Sequence, residues 1–287
     1  MQIFVDLYIF TKNKFVLVKF SVSKYTLSSF LLVVAVVVVS SLLEMILPLA
    51  TDIFRFPMNI ILMAIWLFVV VEIYRRRDRS IIARYLLSQQ ATILSIAALA
   101  VGCVVMGLQR VPATRSYMFV IMLFFALTQL TMVTLRGWRG SRGVRWLFLC
   151  CHLGLLLVLL SGVWGSPDTD VLRMKVTAQP SNMVFYEDGR RGAVDYTLSL
   201  SNIEVDYYSN GTPSSYRADI MVDDNPVTLK VNYPYRVKRA EHIYLTSVDN
   251  SGCIVQIVRQ PWLGVTLTGI VLLIIGAVLM FFRGPRV

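Results

Sequence analysis

Charged side chains are scarce in this sequence. They make up 16% of the 287 residues, against about 25% in soluble domains, and hydrophobic residues make up 56%. This balance argues against an ordinary soluble domain and indicates an integral membrane protein. Acidic residues are fewer than basic ones, 17 against 28, which gives a formal charge of +11.

The motifs of common enzyme classes are also missing. The four cysteines form no Cys-x-x-Cys pair and no Cys-x-x-Cys-His motif, so neither a thioredoxin-like enzyme nor a cytochrome c is indicated. Cys253 is the only cysteine of segment 165–260, which excludes a disulfide within that segment. No nucleophile with its base, phosphate-binding loop or dense carboxylate cluster occurs, and the chain is not predicted to be an enzyme.

The positive charge is concentrated beside hydrophobic runs. Segment 165–260 holds ten Lys and Arg against twelve Asp and Glu, while the rest of the chain holds eighteen against five. A basic excess at the ends of apolar runs favours anionic lipid headgroups as its partner and argues against nucleic acid.

Six apolar stretches are long enough to cross a hydrocarbon core of ~30 Å, which takes about 20 residues. They are Ser28–Ala50, Phe56–Tyr74, Ala91–Gln109, Tyr117–Leu135, Trp146–Trp164 and Trp262–Phe282. The first is too long for the core of a signal peptide and is read as a retained anchor.

Lys and Arg cluster in alternate connections between these spans. They are abundant in the tail 1–27, in the loops after the second and fourth spans, and at the end of the chain, and sparse in the opposite short loops. The positive-inside rule therefore predicts that both termini are cytoplasmic and that the segment between spans five and six is extracytoplasmic.

Segment 165–260 has the pattern of short strands. "DYTLSL" and "YRADIMV" alternate apolar and polar residues, and Asn210-Gly211, Asp188-Gly189 and the run 223–226 are turn signals. About seven strands are expected, which favours a small antiparallel sandwich or barrel. The predicted fold is therefore an α-helical membrane bundle of about six helices with a small extracytoplasmic all-β domain.

The predicted organisation has five parts: a cytoplasmic tail at 1–27, transmembrane helices one to five within 28–164, the β-rich domain at 165–260, the sixth helix at 261–282 and a cytoplasmic tail at 283–287.

His152 is the main candidate for chemistry. It lies six residues past Trp146, or ~9 Å into the fifth span, where an ionisable group is a functional candidate. A neutral imidazole there is able to ligate haem iron or to form a hydrogen bond between helices.

Four other residues are weaker candidates. His242 begins a strand, where an ordinary hydrogen-bonded histidine is the alternative to a ligand. Trp164 and Trp262 end spans five and six and suit either an aromatic belt or a platform for a flat ligand. Glu44 in the first span suits either an ion or proton ligand or a side chain reaching the interface.

Three segments together resemble the ResB (CcsB) family of System II cytochrome c maturation. They are "FLCCHLGLLLVLLSGVWG" with its early His-Leu-Gly, "VNYPYRVKRAEHIYLTSVD" with its Asn-x-Pro and aromatic strand, and "IVQIVRQPWLGVTLTGIVLLIIGAVL" with its Pro-Trp and Gly-rich helix. The resemblance covers roughly residues 145–282.

The resemblance implies a subunit of a bacterial inner-membrane complex that assists haem delivery and presents apocytochrome c. It implies a CcsA-like haem-handling membrane protein as partner, because the Trp-rich haem motif of CcsA is missing here. Haem would be bound transiently, with His152 at the position of the family's intramembrane histidine. The alternative is a membrane-anchored extracytoplasmic interaction or sensor module without a cofactor. A small-solute permease is disfavoured, since the spans hold few polar residues.

Overall fold

A computed structural model describes residues 3–11, 14–22, 24–46, 51–109, 116–138, 146–187, 189–249 and 251–283. The chain divides into two compact units, one formed by Met1–Leu160 with Thr268–Val287 and the other by Ser161–Leu267. Some of the loop arginines that the topology prediction counts, namely Arg110, Arg115 and Arg139, lie outside the described residues. So do Asp188 of a predicted turn and the side chain of Glu44.

The described residues include seven α-helices, of which all but the short α3 overlap the apolar stretches of the sequence. They are α1 (Lys24–Ile46), α2 (Met58–Arg75), α3 (Ile81–Leu86), α4 (Gln89–Gln109), α5 (Tyr117–Trp138), α6 (Trp146–Gly165) and α7 (Leu263–Arg283). Within the described residues, α2, α4, α5, α6 and α7 are long and apolar enough to cross a membrane. Five of the six predicted spans thus coincide with a membrane-length helix, and the chain is a membrane protein. The span predicted at Ser28–Ala50 overlaps α1, and its crossing stays a prediction.

Polar bonds join the helices of the first unit. The indole nitrogen of Trp66 on α2 donates to the hydroxyl of Thr128 on α5 at 3.3 Å. The hydroxyl of Ser95 on α4 lies 2.5 Å from the amide oxygen of Gln129 on α5, and both side chains are buried. Lipid chains offer no hydrogen-bond partners, so each such bond satisfies polar side-chain atoms that lipid would leave unpaired. These pairs therefore help to fix how the helices pack.

The residues before α1 form a structure that the sequence patterns left unpredicted. Strands β1 (Ile3–Thr11) and β2 (Lys14–Val22) pair as an antiparallel hairpin within the segment predicted only as a tail.

The described residues of the second unit form one antiparallel sheet of eight strands. They are β3 (Asp170–Val176), β4 (Ser181–Tyr186), β5 (Arg191–Tyr207), β6 (Pro213–Val222), β7 (Asn225–Lys230), β8 (Tyr235–Lys238), β9 (Glu241–Asp249) and β10 (Gly252–Arg259). Their order is β7-β6-β5-β4-β3-β10-β9-β8. The predicted antiparallel β-rich domain is confirmed. It has eight strands where about seven were predicted, and all eight belong to one continuous sheet where a small sandwich or barrel was predicted.

The sheet curls so that its two halves face each other. The hydroxyl of Tyr216 on β6 donates to the carbonyl oxygen of Thr246 on β9 at 2.8 Å, although four strands lie between β6 and β9 in the sheet. Alternate side chains fill the interior, as Leu172, Met174 and Val176 of β3 do. Each buried apolar side chain contributes about 1.5–3 kcal/mol, so this core is the main source of the domain's stability.

The turn signals are confirmed where the structure describes them. Gly211 has a φ of +80°, and the side chain of Asn210 accepts a hydrogen bond from the backbone N–H of Thr212 at 3.0 Å. Asp223 has a φ of +51°, and its carboxylate accepts from the backbone N–H of Thr197 at 2.8 Å. Glycine takes a positive φ without steric cost at 211, and the bond from Thr197 helps to hold Asp223 in a conformation that other residues seldom adopt.

Candidate functional site

His152 is half-buried on α6, and one of its two ring nitrogens is already bonded. Nδ1 lies 2.9 Å from the carbonyl oxygen of Phe148, one helical turn earlier. A carbonyl only accepts, so Nδ1 must carry the proton in this bond. In the neutral ring Nε2 then keeps its lone pair, which is the form in which imidazole binds a metal.

The ring of Phe148 fixes the plane of this imidazole. The two rings stack with centroids 3.7 Å apart and planes inclined by 20°. Phe148 in turn lies against the backbone of α5 at Gly137, where an added Cβ would overlap the phenyl ring. Glycine at 137 therefore lets the phenyl ring take the position on which His152 stacks.

The helix that carries His152 packs closely on α7. A Cβ at Gly154 would lie 2.7 Å from the carbonyl oxygen of Gly269, and a Cβ at Gly276 would lie 2.5 Å from the sulfur of Cys151. Real Cβ atoms do not come so close to backbone, so these glycines allow the two helices to approach backbone to backbone. His152 thus lies on a helix whose neighbour leaves it little freedom to shift.

Trp164 and Trp262 both lie in the second unit, near the ends of α6 and α7. Trp164 is 6% exposed. The indole nitrogen of Trp262 donates to the carboxylate of Asp168 at 2.8 Å, and its ring covers Gly165. Both indoles therefore take part in the packing of the second unit, which carries the eight-stranded sheet and is the sheet domain of this chain.

His242 is half-buried on the outward side of β9. Its register partners are Val258 on β10 and Arg236 on β8. Within the described residues, no group of three or more His, Cys, Asp or Glu side chains is arranged to hold a metal ion.

A buried polar cluster in the sheet domain escaped the sequence analysis. Glu241 is 6% exposed and accepts from the phenol of Tyr196 at 2.5 Å and from Nε of Arg259 at 2.7 Å. Burial, together with the hydrogen bond and charge of Glu241, raises the pKa of Tyr196. Burial alone would lower the pKa of Arg259, but the bond and charge of Glu241 outweigh it and raise that pKa.

The signal for this cluster was present in the strand pattern. Glu241 precedes His242 and falls in the same alternation as Ile243 and Leu245, the inward residues of β9. A buried carboxylate needs a hydrogen-bond or ionic partner. Arg259 is the register partner of Glu241 on β10 and was therefore the candidate for that role.

Comparison with known proteins agrees with the resemblance found in the sequence. Residues 134–255 match the model of the ResB-like family. This range includes His152, Trp164 and His242, while Trp262 lies beyond it. A search of the curated proteins gives no match.

Among solved structures, one titled "Cytochrome c Heme Lyase CcmF" is similar to this chain at 10% sequence identity, with a TM-score of 0.40. The alignment covers 88% of this chain and 44% of that chain, so this chain spans less than half of that protein.

Proposed function

We propose that this chain is a non-catalytic membrane subunit of a cytochrome c biogenesis complex. It assists the delivery of haem across the membrane and the presentation of apocytochrome c. The match of residues 134–255 to the ResB-like family supports a role in cytochrome c biogenesis. The geometry at His152 supports the narrower proposal that this chain contacts the haem itself.

His152 fits the role of a haem ligand because its hydrogen bond selects the correct tautomer. The Phe148 carbonyl holds the proton on Nδ1 and leaves Nε2 as a donor to iron. The backbone acceptor remains in place when the bound group leaves, which suits a ligand that binds and releases its cargo repeatedly.

Haem is the cargo in this scheme, and its iron takes axial histidine ligands. Since the chain offers one histidine in the first unit, a second axial ligand for the haem iron would come from the protein that next receives the haem or from a partner subunit. We infer that a CcsA-like membrane protein is this partner. Both termini are proposed to be cytoplasmic, with the sheet domain on the opposite side, where apocytochrome c is received.

The test is the absorption spectrum of the detergent-purified chain coexpressed with its haem-handling partner. A haem Soret band is expected, and His152→Ala should reduce it while protein yield stays the same. Added imidazole should restore part of the band to His152→Ala, because the free ligand replaces the missing side chain. Haem content equal to that of the unaltered chain in His152→Ala would remove His152 from the mechanism.

His242→Ala provides the comparison within the same chain, since it removes the only other histidine. A loss confined to His152→Ala assigns haem contact to the membrane helix, and an equal loss in both variants assigns it to both histidines. A colourless preparation that retains a stable protein partner would favour the alternative function, an extracytoplasmic interaction module without a cofactor.

A further inference from the structure

One outward row of the sheet domain combines arginine with exposed aromatic rings. The row runs across five adjacent strands in the register Tyr244–Gln256–Arg173–Phe185–Arg191. Their neighbours along the strands, such as Leu172 and Ile257, point into the core, so the row stands on a rigid base. Phe185 is 41% exposed and Tyr244 is 39% exposed, which is unusual for rings on the polar side of a sheet.

The two arginines of this row lack ionic partners in the described part of the chain. Arg173 and Arg191 are exposed, and within the described residues neither has a carboxylate within ion-pair distance. The guanidinium of Arg191 lies 5.8 Å from the centre of the Phe185 ring. Adjacent strands are about 4.8 Å apart, so the Cα atoms of the two arginines flank this ring at a separation of roughly 10 Å.

Two other basic residues on the outward surface are already neutralised. Arg217 on β6 forms ion pairs with Glu204 and Asp206, at 3.1 Å and 3.3 Å. Lys175 on β3 pairs with Asp249 at 3.2 Å. Arg173 and Arg191 differ from these two residues, because neither has a carboxylate within ion-pair distance in the described part of the chain. They offer positive charge to a partner although the segment 165–260 as a whole is acidic.

We propose that this row is a docking surface for an acidic segment of a partner protein. Arg, Tyr and Phe are the residue types enriched at the energetic centres of protein interfaces. Two arginines without carboxylates provide complementarity to an acidic partner and select against a basic one. Phe185 and Tyr244 supply the apolar area that the partner covers. This surface lies in the second unit and requires no haem.

The test uses the full chain in nanodiscs of zwitterionic phosphatidylcholine and a fluorescein-labelled octapeptide of alternating Glu and Tyr. Fluorescence anisotropy should show binding that weakens as salt rises. The double variant Arg173→Gln/Arg191→Gln should weaken binding by about ten-fold or more, because charge-assisted bonds are the strong ones. A matched octapeptide of Gln and Tyr should bind as weakly to the unaltered chain as the acidic peptide binds to the double variant.

Arg217→Gln is the matched control, because it removes an outward arginine that is already paired. It should change binding of the acidic peptide by less than about two-fold, as expected for an exposed pair of low energy. Equal binding by the double variant and the unaltered chain would overturn the proposal, and so would equal binding of the Gln-Tyr peptide.

Two further measurements complete the test. The Cys253 thiol is buried, and slow alkylation of it in each variant shows that the domain remains folded. Nanodiscs containing about 30% phosphatidylglycerol distinguish a protein partner from lipid, because headgroups bound to the row would displace the peptide. Loss of peptide binding in those nanodiscs would assign the row to the membrane surface and overturn the proposal.

Discussion

The phenol of Tyr196 lies 2.5 Å from a carboxylate oxygen of Glu241 and joins β5 to β9, which are four positions apart in the sheet order. Arg259 satisfies the other oxygen of the same carboxylate. This buried bond therefore holds together two parts of the sheet that no backbone ladder connects.

Tyr196→Phe should destabilise the sheet domain by about 1–3 kcal/mol, because it leaves a buried carboxylate oxygen without its donor. The readout is the rate at which Cys253 is alkylated, followed by mass spectrometry of its peptide, since this thiol reacts only when the core opens. Burial raises the pKa of Cys253 to about 11, which slows its reaction in the folded state further. Tyr208→Phe, at a side chain that is 61% exposed, is the control and should not alter the rate.

Acid should unfold the domain partly through Asp249. Hydrogen bonds from Ser251 and Lys175 lower the pKa of Asp249 from 3.8 to about 2. A carboxylate with a lowered pKa stabilises the folded state above its unfolded pKa, and this contribution is lost as the pH falls from about 3.8 towards 2. Asp249→Asn should therefore lower stability at pH 7 and flatten its dependence on pH below 4, as measured by urea unfolding followed by circular dichroism. An unchanged pH profile would contradict this, and Asp224→Asn in an exposed turn serves as control.

Gly154→Val should disrupt the packing of α6 on α7. The added side chain would meet the backbone of Gly269 and Leu273, and overpacking of this kind costs typically about 1–3 kcal/mol. Gly162, on the same helix, has open space around its Cβ position. Gly162→Ala should leave the thermal unfolding midpoint in detergent unchanged or raise it, since alanine favours helix. Equal effects of the two substitutions would exclude close backbone packing at Gly154.

Gly137→Ala should reduce haem content by moving Phe148, on which His152 stacks. The expected loss of the Soret band is smaller than that of His152→Ala, since the bond from Nδ1 to the Phe148 carbonyl remains. In a double variant, Phe148→Leu is combined with Gly137→Ala and removes the phenyl ring with which the new methyl group would overlap. The double variant should therefore recover haem content relative to Gly137→Ala, and simple addition of the two effects would contradict the coupling.

The proposed topology is tested by labelling engineered cysteines in intact cells. Ser209→Cys lies in the exposed turn after β5, and Asp78→Cys lies in the exposed loop between α2 and α3. A membrane-impermeant maleimide should label the first and leave the second unlabelled until the cells are opened. The reverse pattern would place the sheet domain in the cytoplasm and remove the basis for outward haem delivery.

The helices were predictable because each carries a long apolar signal. The predicted span Tyr117–Leu135 begins at the same residue as α5, and Trp146–Trp164 differs from α6 by one residue. Length and hydropathy suffice here, since a membrane span must satisfy its backbone internally and is therefore helical.

The sheet was harder to predict because its architecture depends on contacts distant in sequence. Strand alternation and Asn210-Gly211 were recognisable, but "DYTLSL" proved to be part of a much longer strand, β5, which is irregular between Leu200 and Asn202. The bond between Tyr216 and Thr246 that accompanies the curl spans thirty residues. No local pattern distinguishes a sheet that curls from two stacked sheets.

The candidate site was predicted only in part. His152 stood out because an imidazole is rare within an apolar helix, but the carbonyl that orients it and the glycine behind Phe148 are visible only in three dimensions. Glu241 and the row containing Arg173 and Arg191 were missed because their significance comes from register across strands.

The first and last strands of the sheet domain lie side by side, since β3 pairs with β10 from Asp170↔Arg259 onwards. Just before this pairing, Asp168 accepts a hydrogen bond from Trp262, so entry and exit of the domain share one point. A domain whose first and last residues are adjacent can gain or lose residues in its outer hairpins without separating the two chain segments that enter and leave it. Lengthening the turn at Asn210-Gly211 is therefore a tolerated way to alter the reach of this domain.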